Sequence, residues 1–287
     1  MITKTVDLYE YFGLEKPEFA RGYLSVYVPG RYREHGINRK RPSILVMPGG
    51  GYSYTSEREA EPVVMKFLAQ GYNAFTLYYS CEPAPFPYAL REAGMAMVYI
   101  REHAEEFGVR EDKVASIGFS AGGHLCGCLA TLFDDASLDF LGDKKALVKP
   151  EACVLMYPCI STKLNDFSEG CISKITYGDK DLLDYLALED RVSENSVPAY
   201  IFSTLGDNCI PAKNSLVMAL AYHEKGVPYC LHILEKGWHG LSVNDVTSDT
   251  LENLAYRKES TPDNYNDWLS QVFTWLNERD FIPITNL

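Results

Sequence analysis

The 287-residue chain carries 27 Lys and Arg against 39 Asp and Glu, a formal net charge of −12, which argues against nucleic acid or an anionic membrane surface as partner, because either needs a basic patch. Hydrophobic residues at 46% with 23% charged allow a sizeable core and exclude wholesale disorder. No apolar run approaches the roughly 20 residues of a membrane span. The opening stretch, MITKTVDLYEYFGLEKPEF, lacks the basic-then-apolar layout of a secretory signal, so a cytoplasmic protein is expected.

Short apolar runs predict strands at 23–28, 43–47, 73–79, 114–118, 152–157, 199–204 and 229–234. Helical patterns lie between them. Residues 62–70 open on Pro62 and stop at Gly71, 87–107 place Leu90, Ala93, Met97 and Ile100 on one stripe before Gly108, and 211–225 run from a proline to Gly226. Trp268, Val272, Trp275 and Leu276 mark a final amphipathic helix. Strands alternating with helices predict an α/β class, with a mostly parallel central sheet covered on both faces. Residues 160–197 and 241–263 break the rhythm, being polar and weakly periodic. Such stretches in a compact α/β domain serve as lids, binding loops or excursions. A single domain over 1–287 with a small lid-like insertion at 160–197 is expected. The 8 cysteines form no C-x-x-C pair and mostly sit in apolar runs, which predicts reduced, core-forming thiols and no metal site.

The segment with chemical content is Gly118-Phe119-Ser120-Ala121-Gly122-Gly123-His124, a G-x-S-x-G turn between a strand and a helix. The glycines on either side of Ser120 remove the clashes of a sharp turn, and the helix start aims N–H groups at any oxyanion formed there. A serine hydroxyl needs a base, and that base needs an orienter. Asp207 follows one strand and His239 follows the next, each where sites gather in open parallel sheets. His124 is too early in the serine's own helix to turn back to it. His232 falls inside a strand, His103 and His223 on helices, and His35 in a charged loop. After the strand SILVM, Pro48-Gly49-Gly50-Gly51-Tyr52 lets two backbone N–H groups approach a carbonyl oxygen and complete an oxyanion hole with that of Ala121. The absence of G-x-G-x-x-G or a following Lys-Ser/Thr disfavours a nucleotide loop.

PGGGY, GFSAGGHL, GDNCIP and WHG together resemble the α/β-hydrolase esterases, in the acetyl-xylan-esterase-like branch of the hormone-sensitive-lipase type. The resemblance runs from about Tyr23 to Leu276. It implies an α/β-hydrolase fold, catalytic Ser120, Asp207 and His239, oxyanion donors at Gly50, Gly51 and Ala121, and no cofactor. Where this chain has Pro48, many relatives have a histidine that supports the loop. The implied activity is serine carboxylesterase hydrolysis of short, acetyl-sized esters of sugars or xylo-oligosaccharides. Tyr52, Tyr54 and Trp238 are candidate substrate walls, though tyrosine and tryptophan here serve equally as plain packing. An aminopeptidase or arylformamidase-like amidase with the same triad, a longer-chain lipase, and a non-catalytic binding protein of the same fold stay open. So does a homo-oligomer.

Overall fold

A computed structural model describes residues 1–164 and 166–285 of the chain. The strands are β1 (Ile2–Asp7), β2 (Tyr23–Val28), β3 (Arg39–Met47), β4 (Asn73–Tyr78), β5 (Val109–Phe119), β6 (Ala152–Met156), β7 (Ala199–Thr204), β8 (Tyr229–Leu234) and β9 (Ile284–Thr285). The α-helices are α1 (Leu8–Phe12), α2 (Glu61–Ala69), α3 (Tyr88–Glu102), α4 (Ala104–Phe107), α5 (Ala121–Thr131), α6 (Phe167–Thr176), α7 (Lys180–Tyr185), α8 (Lys213–Glu224), α9 (Leu251–Arg257) and α10 (Asp267–Asn277). The sheet runs β1-β2-β4-β3-β5-β6-β7-β8, with β9 paired to the start of β3. β1 and β2 are antiparallel to their neighbours, while β4 through β8 run parallel.

Successive side chains on a strand face opposite ways, so each strand feeds two cores. On β3, Leu45 and Met47 join a cluster with Leu90 and Ala93 of α3, Leu125 of α5 and Met218 of α8. Ile44 and Val46 join the other, with Val63 and Phe67 of α2 and Trp268, Val272 and Leu276 of α10. Burial on both faces explains why these strands read as continuous apolar runs.

Four expectations need correction. Residues 2–7 form an edge strand that is exposed along most of its length, so no apolar alternation marked it. β3 and β5 extend further toward their N-termini than expected, across a register irregularity between Arg41 and Ser43, where Pro42 has no N–H for the ladder. The helix expected over 87–107 breaks at His103, whose φ of −101° and ψ of 19° depart from helical values. Finally, 160–197 is not irregular. It holds α6, α7 and a short 3₁₀ turn at Leu188–Asp190, with Asp166 and Asp179 capping the two helices; residue 165 within it lies outside the described residues. No helix among the described residues is long and apolar enough to cross a membrane.

Candidate active site

Ser120 sits between β5 and α5 with φ 53° and ψ −117°, a strained conformation for a residue with a side chain. Close packing enforces it. A Cβ on Gly118 would lie 2.0 Å from the carbonyl oxygen of Gly122, and one on Gly122 would lie 2.1 Å from that of Met47. The Ser120 N–H donates to the carbonyl of Met156 (3.0 Å), and the Ser120 carbonyl accepts from the N–H groups of His124 and Cys159 (both 3.1 Å). The hydroxyl is thereby held over the C-terminal end of the sheet.

The ends of β7 and β8 bring the other two side chains to it. His239 Nε2 lies 2.8 Å from Ser120 Oγ, and His239 Nδ1 lies 2.7 Å from Asp207 Oδ2. A carboxylate only accepts, so Nδ1 carries the ring proton and Nε2 is free to accept from the serine hydroxyl. Asp207 Oδ1 is occupied by the N–H groups of Cys209 (2.9 Å) and Ile210 (2.8 Å). The two loops are also tied together: Thr204 Oγ1 donates to the Gly237 carbonyl (2.9 Å), and a Cβ on Gly206 would meet that same oxygen at 2.8 Å.

The glycine loop after β3 packs directly on the serine turn. A Cβ on Gly49 would lie 2.8 Å from the Phe119 carbonyl oxygen and 3.1 Å from Ser120 Cβ. Gly50 (φ 131°) and Gly51 (φ 61°) take backbone conformations that side chains disfavour. The N–H groups of Gly50, Gly51 and Ala121 donate to no acceptor among the described residues. A cavity of about 610 Å³ opens over Ser120, His239 and these glycines. Its lining includes Cys159, Cys171, Cys209, Ile210 and Phe167 as well as Ser53, Tyr54, Arg58 and Lys174. The α6 helix contributes Phe167, Gly170, Cys171 and Lys174 to this lining, and Lys174 Nζ donates to Ser53 Oγ (2.6 Å). The neighbouring Cys171 thiol and burial push the Cys159 thiol well above its ordinary value. Burial raises that of Cys209. Both stay uncharged thiols near neutral pH, without a nucleophilic thiolate.

Two of the expected substrate walls need correction. Tyr52 is 1% exposed and points away from the cavity, its hydroxyl 2.8 Å from His124 Nδ1. That histidine, fully buried, faces the Leu186 carbonyl with Nε2 (3.1 Å), and burial lowers its pKa to about 4; it is a neutral packing residue. Trp238 donates through Nε1 to Ser260 Oγ (2.6 Å) and lies edge-on to Tyr256, outside the cavity lining. Tyr54 lines the cavity and is 60% exposed. Of the other histidines, His232 stacks on Tyr200, and the His35 side chain lies outside the described residues. Cys126 and Cys128 are buried.

Sequence reasoning missed Arg58, Glu59 and Tyr157. Ser56 and Glu59 fit a capping-box pattern, yet Ser56 makes no side-chain cap and Glu59 is 4% exposed. Its carboxylate accepts from the Gly49 N–H (2.8 Å) and the Tyr157 hydroxyl (2.7 Å). Burial raises the Glu59 pKa against the opposing pull of those two donors, His239 and Arg58. Tyr157 has φ 36° and sets its ring 5.1 Å from that of His239. Nothing in the local pattern distinguished these residues from a helix start and a strand end.

The BD-FAE family model matches residues 30–221. Endo-1,4-beta-xylanase B of Butyrivibrio fibrisolvens is 33% identical over 233 residues, which is 79% of this chain and 37% of that protein. The acetylxylan esterase of Xylanibacter ruminicola is 26% identical over 69% of this chain and 40% of its own length. The chain therefore spans about two fifths of the length of these curated relatives. Among solved structures, an acetyl ester-xyloside bifunctional hydrolase from Caldicellulosiruptor lactoaceticus is similar with a TM-score of 0.79 and 29% identity, covering 97% of each chain. The fold is that of the α/β-hydrolase esterases.

Proposed function

The chain belongs to the BD-FAE family, and from that premise we propose that it is a serine carboxylesterase that hydrolyses short, acetyl-sized esters of sugars or xylo-oligosaccharides through an acyl-enzyme on Ser120. The observation that carries this reading is the unbroken Ser120–His239–Asp207 relay, with contacts of 2.8 and 2.7 Å, at the floor of a cavity. His239 Nε2 takes the serine proton as Oγ attacks the ester carbonyl. The charge that develops on the carbonyl oxygen is met by the N–H groups of Gly50, Gly51 and Ala121. Asp207 holds the Nδ1 proton and stabilises the imidazolium, which then protonates the departing alcohol. Water, deprotonated by the same nitrogen, releases the acid. No step calls for a metal or organic cofactor.

The lining supports this reading: Cys159, Cys171, Cys209 and Ile210 are small or apolar residues suited to a short acyl group, and Ser53, Tyr54, Arg58 and Lys174 are polar residues suited to a hydroxyl-rich alcohol. The α6 helix, within the segment read as a lid-like insertion, contributes Phe167, Gly170, Cys171 and Lys174 to the cavity. Relatives with xylanase, acetylxylan esterase and acetyl ester-xyloside hydrolase in their names support the sugar-ester reading.

The test is hydrolysis of acetylated xylo-oligosaccharides, other acetylated sugars and simple alkyl acetates, with Ser120→Ala as control. Preference for the sugar esters, abolished in the control, is expected. Equal rates on every acetate would refute sugar specificity, and a control as active as the wild type would refute the nucleophile.

A further inference from the structure

Outside the three residues of the relay, the cavity floor holds one more carboxylate, on Glu59. Its two oxygens accept two hydrogens from different loops: Oε2 from the Gly49 N–H (2.8 Å) and Oε1 from the Tyr157 hydroxyl (2.7 Å). The Tyr157 oxygen in turn accepts from the N–H of Ser242 (3.0 Å), three residues past His239. Ser242 Oγ donates to the Arg58 carbonyl (2.7 Å), and Arg58 Nη2 donates to the Gly240 carbonyl (3.0 Å). Residues 58 and 59 therefore grip both the glycine loop and the histidine loop. A Cβ on Gly49 would come within 2.6 Å of Glu59 Oε2, so the carboxylate also sets how near that loop can lie.

We propose that Glu59 is a positioning residue for the hydrolytic reaction, fixing the Gly50–Gly51 donors and the His239 loop in one register through its bonds to Gly49 and Tyr157. The inference rests on the esterase reading above. Its chemistry demands an acceptor at both oxygens. In a Glu59→Gln side chain, the amide oxygen can face only one of the two donors. If it keeps the Gly49 N–H, the NH₂ meets a Tyr157 oxygen that already accepts from Ser242, and the tyrosine proton loses its acceptor. If it turns round, the Gly49 N–H faces a donor and the glycine loop is released. The groups facing Glu59 are His239 from its loop, Tyr157 past β6, Tyr265 ahead of α10, Tyr79 past β4 and the adjacent Arg58. Among them His239 changes charge during turnover.

The experiment compares wild type and E59Q on a nitrophenyl acetate for kcat and KM, with affinity for an alkylboronic acid as a mimic of the tetrahedral adduct. The expected result is a kcat about 100-fold lower, the low end of what loss of one oxyanion donor costs. KM stays close to that of the wild type, and boronate affinity falls with kcat. An E59Q enzyme with wild-type kcat overturns the proposal, as does a rate loss that leaves boronate affinity unchanged. If E59Q does not fold, Y157F, which frees Oε1 and the Ser242 N–H but keeps the carboxylate on Gly49, carries the same comparison: a lowered kcat with weaker boronate affinity supports the proposal, and wild-type values overturn it. Failure here is distinct from failure of the esterase reading, because that reading is tested on Ser120→Ala, which loses turnover whatever E59Q does.

Discussion

Replacing Asp207 with asparagine tests how the relay orients its base. The side chain keeps its size, but one oxygen becomes an NH₂ group. The Cys209 and Ile210 N–H groups, 2.9 and 2.8 Å from Oδ1, decide which one. Turning the NH₂ toward them would set it against two backbone donors, one of them buried, at about 1–3 kcal/mol for a buried group left unsatisfied. Keeping the carbonyl there presents the NH₂ to His239 Nδ1, and the ring answers by moving its proton to Nε2, leaving every group paired. That tautomer points a proton at Ser120 Oγ and cannot accept one. The expected loss in kcat is about 10⁴-fold, the scale set by the same substitution in a serine protease triad, equivalent to about 5 kcal/mol of barrier. Nitrophenol release from a nitrophenyl acetate gives kcat and KM, and thermal unfolding checks that the variant is folded. A folded Asp207→Asn enzyme within about tenfold of wild type, only about 1.4 kcal/mol of barrier, would refute the orientation argument.

Gly122→Ala would force a methyl group to within 2.4 Å of both the Met47 and Pro48 carbonyl oxygens, so denaturant titration should show a loss of about 1–3 kcal/mol typical of overpacking, together with lost turnover. Cys171→Ala trims the cavity lining and should raise kcat/KM for a butyrate relative to an acetate by about tenfold, the low end of what one pocket methylene is worth; an unchanged ratio would place the acyl group elsewhere. Two buried groups oppose each other in acid. His124, depressed to about 4, withdraws stability as pH falls from its unfolded value near 6.5 toward 4, because the unfolded chain binds the proton first. Glu92, raised by burial to about 7, adds stability as pH falls from 7 toward 4.5, because the folded chain binds first. Chemical denaturation across this window should show His124→Gln gaining stability relative to wild type as pH falls and Glu92→Gln losing it; parallel curves for all three would contradict both assignments.

Much of this architecture was legible because parallel strands buried on both faces write themselves as apolar runs. Residues 199–204 and 229–234 are strands at the expected bounds. The Ser120 turn, Asp207 and His239 were legible for a related reason: each sits where a strand gives way to a loop, and glycine surrounds the serine and histidine. Features whose meaning is tertiary were not readable. Residues 2–7 become a strand only by pairing with β2. Glu59 looks like a capping residue until the fold sets it under Gly49, and Tyr52 beside the glycine loop looks like a pocket wall until His124 claims its hydroxyl. Aromatic residues next to a motif report proximity in sequence, whereas the direction of a side chain is decided by the backbone angles of the turn.

The account rests on Ser120 becoming acylated during turnover. Rapid mixing with an activated acetate, acid quenching and peptide mass spectrometry would read this directly. The expected result is one acetyl group on the peptide containing Ser120, formed at the rate of the initial burst and absent from Ser120→Ala. Full turnover with no acetyl on that peptide, or an acetyl group carried by Cys159 or Cys209 in its place, would contradict it.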